Sequence, residues 1–131
     1  MAVNDTAPSR ALRIFVLEDN DDTRDILSQL LVVMGHEVQG AASMHEALHR
    51  LPAADPDVII SDIGLPDGDG CTFMRQVSLG HPVFAIAMSG YGTSADRERS
   101  VAAGYRAHLV KPMDIDKLEG LLDEAARERA Q

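Results

Sequence analysis

The sequence alternates five times between a short apolar run and a segment whose apolar residues recur at helical spacing. The pattern predicts strands over residues 12–17, 36–41, 57–62, 82–88 and 106–110, and helices over 21–34, 43–51, 71–79, 94–104 and 114–127. Strands that are each followed by a helix pair in parallel through right-handed crossover connections. The predicted fold is therefore of the α/β class: a doubly wound, five-stranded parallel sheet with helices on both faces.

Polar residues and glycine mark the ends of these elements. Gly35 ends the first helix, Ser43 and Glu46 form a capping box at the second, and Asp114 caps the last. The third strand, 57–62, is apolar on both faces. This pattern is typical of a central strand that helices cover on each side.

The chain is expected to form one domain over residues 11–128, with a flexible leader at 1–10 and a tail at 129–131. It holds 12 Lys and Arg against 21 Asp and Glu, which gives a formal net charge of -9. This charge repels phosphate backbones and anionic lipid, so no direct binding of nucleic acid or membrane is expected. Cys71 has no partner for an intrachain disulfide, and no signal peptide or membrane span is indicated. A cytoplasmic location is predicted.

Polar residues stand at the carboxyl ends of four of the predicted strands. Glu18 and Asp19 follow the first strand, Asp62 ends the third, and Ser89 and Lys111 follow the fourth and fifth. In an open parallel sheet, ligands bind at the carboxyl ends of the strands, beside the point where strand order reverses. Each residue alone would be an ordinary surface residue, but together they predict one site.

Three carboxylates in one site repel each other and need compensating positive charge. Lys111 can supply one such charge and a divalent cation another. All candidate ligands are oxygens, which favours Mg²⁺ over Zn²⁺ or Cu²⁺. A phosphate can complete the coordination of Mg²⁺ and accept hydrogen bonds from Ser89 and Lys111. Asp62 can then be the nucleophile, because a carboxylate can form an aspartyl-phosphate.

Four ordered motifs carry a family resemblance: LEDND at 17–21, DVIISDIGLPDGDG at 57–70, AMSGYG at 87–92 and AHLVKP at 107–112. Over about residues 12–127 the chain resembles the receiver domain of two-component response regulators, which has a flavodoxin-like (βα)5 fold. The resemblance implies that Asp62 is the phosphoacceptor, supplied by a phosphohistidine on a sensor histidine kinase or a histidine phosphotransfer protein. It also implies a signalling switch and not an enzyme, because such a domain catalyses only its own phosphorylation and dephosphorylation.

The resemblance further implies a metal cofactor and its ligands. The cofactor would be Mg²⁺, with Mn²⁺ as a substitute. Asp19, Asp62 and the backbone carbonyl of Gly64 would bind it directly, and Glu18 would bind it through water.

Other roles fall to residues near the ends of the fourth and fifth strands. Ser89 would follow the phosphoryl group, Lys111 would pair with it, and the Lys111–Pro112 bond is expected to be cis. His108 stands where most relatives carry a Tyr or Phe that swings inward, and its alternative interpretation is a partly exposed strand histidine. The output surface would be the fourth helix, fifth strand and fifth helix, over about 94–127.

Two positions bear on the lifetime of the phosphate. The resemblance implies that side chains at positions 64 and 91 flank the attacking water. Gly64 offers no side chain to orient this water, whereas Tyr91 can shield it, so slow to moderate self-dephosphorylation is expected. Given the length of the chain, no DNA-binding output domain is expected. The signal is therefore expected to leave through contact with an unidentified downstream protein.

Other interpretations stay open. The chain could be a receiver excised from a hybrid histidine kinase, a pseudo-receiver that only binds, or a small Mg²⁺-dependent phosphatase. HEALH at 45–49 matches the HExxH signature of zinc peptidases, but the capping box explains Glu46 better and a third ligand is not evident. GYGTSA at 90–95 fits a loose dinucleotide fingerprint, but Lys111 stands where a ribose-binding acid is expected.

Overall fold

A parallel sheet of five strands organises the computed structural model, which describes residues 11–90 and 94–130. The strands are β1 (Arg13–Leu17), β2 (Glu37–Ala41), β3 (Val58–Asp62), β4 (Phe84–Ser89) and β5 (Ala107–Val110). The helices are α1 (Asp21–Val33), α2 (Met44–Ala54), α3 (Gly70–Gln76), α4 (Ser94–Ala103) and α5 (Ile115–Ala130). A short antiparallel hairpin, which pairs Gly64–Leu65 with Gly68–Asp69, connects β3 to α3.

The strand order across the sheet is β2-β1-β3-β4-β5, and neighbouring strands are parallel. The doubly wound fold predicted from the sequence is therefore confirmed. The chain moves outward from β1 to β2 and then crosses back to place β3 on the other side of β1. This reversal of strand order leaves a crevice at the carboxyl ends of β1 and β3, where ligands bind in sheets of this kind.

The two faces of the sheet have separate apolar cores. Alternate residues of β1 divide between them: Val16 packs with α1 and α5, whereas Phe15 packs with α2 and α3. Each residue of β3 is buried, as expected for the central strand. A smaller cluster around Cys71 and Tyr105 joins α3 and α4 to β4. The strand ends at the carboxyl edge are therefore fixed by packing from both faces.

Capping side chains begin α1 and α2. Asn20 is the N-cap of α1, because it has the extended backbone of a cap (φ -80°, ψ 116°) and its side chain accepts an N–H bond from the first turn. The capping box of α2 is present in altered form. Ser43 Oγ accepts the Glu46 N–H at 3.2 Å, while the Glu46 carboxylate accepts the N–H of Ala42 at 2.9 Å.

Helix α2 continues through Pro52 to Ala54, so the prediction that it ends before this proline is wrong. Pro52 lies in the last turn, where it removes a single N–H donor. The following turn still closes, because the Asp55 N–H donates to the Leu51 carbonyl at 2.8 Å. Leu51 and Ala54 are buried in the core and hold this turn against the sheet.

Helix α5 extends to Ala130, beyond the end that the sequence pattern placed near residue 127. Asp114 caps its first turn as predicted, since Oδ1 accepts two backbone N–H bonds at 2.9 and 3.3 Å. Near the other end, Arg129 donates to the Ala11 carbonyl at 2.9 Å. This contact holds the last turn beside the start of the sheet. None of the helices in the described ranges combines the length and apolar character that crossing a membrane requires.

Substitutions on α1 test this account of the core. Leu31 is fully buried, whereas Val33, two residues later, is 83% exposed. We expect Leu31→Ala to lower the free energy of unfolding by about 2–5 kcal/mol, because it leaves a cavity between α1 and the sheet. The matched control Val33→Ala should change it by no more than about 0.5 kcal/mol. Urea denaturation followed by circular dichroism measures both, and equal effects would contradict the assigned core.

Candidate functional site

Backbone hydrogen bonds that continue past the strand ends place the site residues. The Glu18 N–H donates to the Ala41 carbonyl at 3.1 Å, one residue beyond β1. The Lys111 N–H donates to the Ser89 carbonyl at 2.8 Å, one residue beyond β5. Asp62 is itself the last residue of β3. The backbone hydrogen bonds of the sheet therefore position Glu18, Asp62 and Lys111, each at the end of a different strand.

The Lys111 ammonium joins two of the predicted carboxylates. Its Nζ lies 2.7 Å from Glu18 Oε1 and 2.9 Å from Asp62 Oδ2. Glu18 is only 1% exposed and Asp62 8% exposed, so water screens these pairs weakly. Partial burial alone would lower the pKa of Lys111, but the hydrogen bonds to Glu18 and Asp62 outweigh it and raise the pKa above its ordinary value. Lys111 is therefore a permanent cation at neutral pH.

Further donors satisfy the buried Glu18. Its Oε2 accepts the Asn20 N–H at 3.0 Å, and its backbone carbonyl accepts from the Arg24 guanidinium at 2.8 Å. Arg24 also pairs with Asp21 at 2.6 Å. Among the described residues, every fully buried side-chain nitrogen or oxygen atom has a hydrogen-bond partner. Glu18 is thus fixed in place as a buried anion next to Asp62.

Three carboxylates come together at this edge, as predicted. One oxygen each from Glu18, Asp19 and Asp62 lies within 4.8 Å of the other two, and within the described ranges this is the one group of three such side chains placed to share a metal ion. Asp19 is exposed, so the group opens to solvent. Carboxylate oxygens are the ligands that a hard divalent cation prefers. The donor set therefore fits Mg²⁺ or Mn²⁺.

The backbone that follows Asp62 packs closely against it. The Gly64 N–H points to Asp62 Oδ1 at 3.3 Å, and the Gly70 N–H donates to the Ile63 carbonyl at 2.7 Å. A Cβ atom on Gly70 would lie 2.5 Å from the Asp62 carbonyl oxygen. Only glycine permits this approach, which lets α3 begin in contact with the backbone of Asp62.

Two aspartates fasten the same loop to its neighbours. The Asp67 carboxylate accepts N–H bonds from Met44 at 2.9 Å and His45 at 3.0 Å, which lower its pKa. It thereby caps α2 from outside that helix. Asp69 caps α3 and pairs with Arg99 at 2.9 Å. Both aspartates therefore act as helix caps.

Ser89 and His108 lie across the site from Glu18. They line a cavity of about 520 Å³ together with Asp62, Lys111 and Gly64. Ser89 Oγ is 2.8 Å from His108 Nε2. His108 is 8% exposed, so its alternative interpretation as a partly exposed strand histidine is wrong: the ring is buried under the site. The Lys111–Pro112 peptide bond is cis.

The HEALH motif lacks the setting of a metal site in the part of the chain that the structure describes. His45 and His49 are exposed on α2, and Glu46 accepts the Ala42 N–H and pairs with Arg50 at 3.7 Å. Glu46 is thus occupied as a capping residue. Residues 91–93 of the GYGTSA segment, which include Tyr91, lie outside the described residues, so the shielding role predicted for Tyr91 stays a prediction.

Three contributors to the site were not predicted from the sequence. Asn20 and Arg24 hold Glu18, and Ser100 contacts His108 from α4. The polar run after β1 was a usable signal for Asn20. No local pattern distinguishes Ser100 from any other helical serine, because its role depends on the packing of α4 against β5.

Fold and site together define a class of protein: a signalling domain with an aspartate at the carboxyl edge of a five-stranded parallel sheet. This aspartate is paired with a lysine and lies beside two further carboxylates. Residues 14–123 match the family described as "Response regulator receiver domain". The chain therefore belongs to the response regulator receiver family of two-component signalling. The family resemblance inferred from its motifs is confirmed.

Named relatives place this domain in proteins of different size. The chain is 34% identical to an uncharacterized 14.6 kDa protein of Leptolyngbya boryana, over 85% of this chain and 87% of that protein. It is 32% identical to the KDP operon transcriptional regulatory protein KdpE of Escherichia coli, over 87% of this chain and 51% of KdpE. It is 28% identical to the signal transduction histidine-protein kinase BarA of Escherichia coli, over 86% of this chain and 12% of BarA. The chain thus spans about half of KdpE and a small part of BarA.

Solved structures share the same architecture. The chemotaxis response regulator CheY4 of Vibrio cholerae superposes with a TM-score of 0.80 at 26% identity, over 88% of this chain and 98% of that chain. A two-component response regulator from Clostridium difficile superposes with a TM-score of 0.83 at 21% identity, over 90% of this chain and 98% of that chain. The fold is therefore that of receiver domains.

Removal of the Lys111 charge tests the electrostatics of the site. In buffer with EDTA, we expect Lys111→Met to lower the free energy of unfolding by roughly 1–3 kcal/mol, because the buried Glu18 loses its charged donor. Lys117→Met, at the exposed second lysine of the chain, is the matched control and should change it by less than about 0.5 kcal/mol. Thermal and urea denaturation give both values. An unchanged midpoint for Lys111→Met would show that the pairing contributes nothing to stability.

Proposed function

We propose that the protein is a phosphoacceptor switch in which Asp62 receives a phosphoryl group from a phosphohistidine. The donor would be a sensor histidine kinase or a histidine phosphotransfer protein. One observation carries the proposal: the Asp62 carboxylate lines an open cavity, 2.9 Å from the Lys111 ammonium and within 4.8 Å of ligand oxygens of Glu18 and Asp19. A nucleophilic carboxylate, a fixed cation and spare acidic ligands are what transfer of an anionic group requires.

The chain's own residues account for the chemistry of transfer. An Asp62 carboxylate oxygen attacks phosphorus, the new O–P bond forms as the P–N bond to the donor imidazole breaks, and the imidazole leaves with the electron pair. The ammonium of Lys111 already lies at this carboxylate and can pair with the phosphoryl oxygens. The end of β3 and the close packing of Gly70 fix the backbone of Asp62, and Lys111 contacts its carboxylate.

The acidic residues beside Asp62 support a metal cofactor, Mg²⁺ or Mn²⁺. Asp19, Asp62 and the backbone carbonyl of Gly64 would hold it directly, and Glu18 would hold it through water. When bound, the ion would neutralise negative charge on the phosphoryl oxygens. Lys111 already neutralises part of the charge on Glu18 and Asp62, which leaves the exposed Asp19 as the carboxylate that most needs a cation.

Phosphorylation would change the charge at Asp62. This change would alter the surface formed by α4, β5 and α5. The new group carries between one and two negative charges and strong acceptor oxygens. Ser89 and Lys111 line the same cavity as Asp62 and can donate to these oxygens. The response would reach a downstream protein through α4, β5 and α5, where the apolar side chains of Val101, Val110 and Ile115 are exposed. Exposed apolar groups of this kind favour protein contacts.

The phosphate would be lost by hydrolysis at the same site, and the protein would turn over no external metabolite. Gly64 bears on the rate because a side chain at this position would enter open space. As a glycine, it offers no group there to orient a water molecule. Slow to moderate self-dephosphorylation is the corresponding expectation.

Transfer to Asp62 is tested by intact-mass spectrometry. After incubation with Mg²⁺ and acetyl phosphate, wild type should gain the mass of one phosphoryl group, and Asp62→Asn should gain none. Asp116→Asn, an exposed aspartate at the start of α5, is the matched control and should be modified like wild type. An undiminished adduct on Asp62→Asn would exclude Asp62 as the acceptor. Wild type without an adduct would favour the pseudo-receiver alternative.

The metal assignment is tested by titrating Mg²⁺ into the unphosphorylated protein. We expect Asp19→Asn to weaken binding roughly 10-fold or more, since even supporting groups of metal sites cost this much when removed. Asp116→Asn again serves as the control. Isothermal titration calorimetry gives the affinities, and the Mg²⁺ dependence of the phosphoryl adduct gives an independent value. Equal affinities for wild type and Asp19→Asn would contradict the assignment.

A further inference from the structure

The cavity that contains Asp62 has a second cation in its wall, the guanidinium of Arg99 in α4. Among the described residues that line this cavity, Arg99 and Lys111 are the lysine and arginine side chains. We propose that Arg99 is a donor-binding residue, whose guanidinium binds the anionic phosphodonor at the exposed side of the cavity before transfer to Asp62. The inference rests on the proposed function, because it assigns a binding role within that reaction.

The charge around Asp62 is unfavourable for a phosphodonor. Four carboxylates lie in the cavity wall or beside it: Glu18, Asp19, Asp62 and Asp96. A phosphodonor is itself an anion, and a site lined by charge of the same sign lowers its local concentration. Without Arg99, Lys111 would be the one lysine or arginine among the described lining residues to oppose these carboxylates.

Lys111 is already committed to other groups. Its ammonium donates to Glu18 at 2.7 Å and to Asp62 at 2.9 Å. Glu18 is 1% exposed, so these bonds hold the ammonium at the inner end of the site. The Arg99 side chain is 57% exposed and meets solvent on the cavity's outer side. An incoming anion therefore reaches Arg99 before it reaches Lys111.

The contact that holds Arg99 is weak enough to exchange. Nη2 lies 2.9 Å from Asp69 Oδ2, and this is the one hydrogen bond that the guanidinium makes within the described part of the chain. A guanidinium has five N–H donors, so most of them remain available there. The Asp69 side chain is 40% exposed, and ion pairs as exposed as this one contribute little to stability.

Asp69 nevertheless places the guanidinium beside the reacting carboxylate. Its other oxygen, Oδ1, accepts the Cys71 N–H at 2.6 Å as the N-cap of α3. The Cys71 thiol faces the Arg99 carbonyl at 3.8 Å. Arg99 is thus attached, through side chain and backbone, to the segment that joins Asp62 to α3.

The guanidinium suits a phosphoryl group. Its planar fork can donate two parallel N–H bonds to two phosphoryl oxygens, whereas a lysine ammonium acts as a point charge. It is charged at every physiological pH. The ligand class that this position favours is therefore a phosphoryl group with at least two unesterified oxygens.

The chain provides a matched control for Arg99. Arg97 lies two residues earlier on α4, which is a rotation of roughly 200° around the helix. Its side chain is exposed and does not line the Asp62 cavity. Arg97→Gln and Arg99→Gln therefore remove the same charge from the same helix, and only the second removes it from the cavity.

The first test measures anion binding without phosphoryl transfer. Methylphosphonate, a phosphoryl analogue that cannot be transferred, is titrated into the Mg²⁺-loaded protein, and the amide resonances of Gly64 and Gly90 report binding. Arg99→Gln should weaken the apparent affinity roughly 3- to 10-fold, the factor expected of a charged hydrogen bond that solvent partly screens. Arg97→Gln should bind like wild type, and Arg99→Lys should lie between wild type and Arg99→Gln. Equal affinities for the two Gln variants, or no binding to wild type, would overturn the proposal.

The second test separates donor binding from transfer. Initial rates of adduct formation are measured by intact mass over a range of acetyl phosphate concentrations. Arg99→Gln should raise the half-saturating concentration by the factor found with methylphosphonate and leave the maximal rate close to that of wild type. A lower maximal rate with an unchanged half-saturating concentration would contradict a role in donor binding.

The two proposals fail in distinguishable ways. Absence of any adduct on wild type would refute the phosphoacceptor function, while the methylphosphonate titration would still decide whether Arg99 binds a phosphoryl group. An adduct that forms with the same concentration dependence on Arg99→Gln and Arg97→Gln would refute the role of Arg99 and leave the function of Asp62 intact.

Discussion

The Lys111 ammonium, held between Glu18 and Asp62, is the interaction on which the arrangement of the sheet edge depends. Lys111 lies 93 positions after Glu18 and 49 positions after Asp62 in the chain. Without it, two nearly buried carboxylates from adjacent strands would face each other, and a low-dielectric environment makes such repulsion costly. The pairing compensates part of that charge, and Asp19 remains an exposed carboxylate beside the pair. The Lys111 pairing therefore stabilises the folded site, and the site can still bind a further cation.

The side chains on the two sides of the sheet's carboxyl edge are held by different kinds of contact. Toward β1 and α1, Glu18 is fixed by Asn20, Arg24 and Lys111, so its position is determined by several bonds at once. Toward β4 and β5, Ser89 and His108 enclose a cavity and are held through hydroxyl and imidazole groups whose bonds can be exchanged. The proposed function uses both properties, because the acidic side can bind a cation without moving while the other side can respond to a new anion.

Much of the fold and of the site could be predicted because both follow from local patterns and one topological rule. The alternation of apolar runs and helical segments predicted the sheet, and the rule that parallel strands end at one edge brought Glu18, Asp62 and Lys111 together. Features that depend on tertiary packing could not be predicted. Helix α2 continues past Pro52 because buried neighbours hold its last turn, and His108 is inward because Ser89 and Ser100 from other elements satisfy its ring nitrogens.

The capping of α2 by Asp67 has a consequence for the direction of any response at Asp62. The loop after β3 is attached to the neighbouring helix through two N–H bonds, and its other end is held by the pairing of Asp69 with Arg99. Displacement of this loop would cost a helix cap, which contributes about 1 kcal/mol. The loop between Asp62 and α3 is therefore held by α2 and by Arg99 of α4, so any movement of this loop would have to break these contacts.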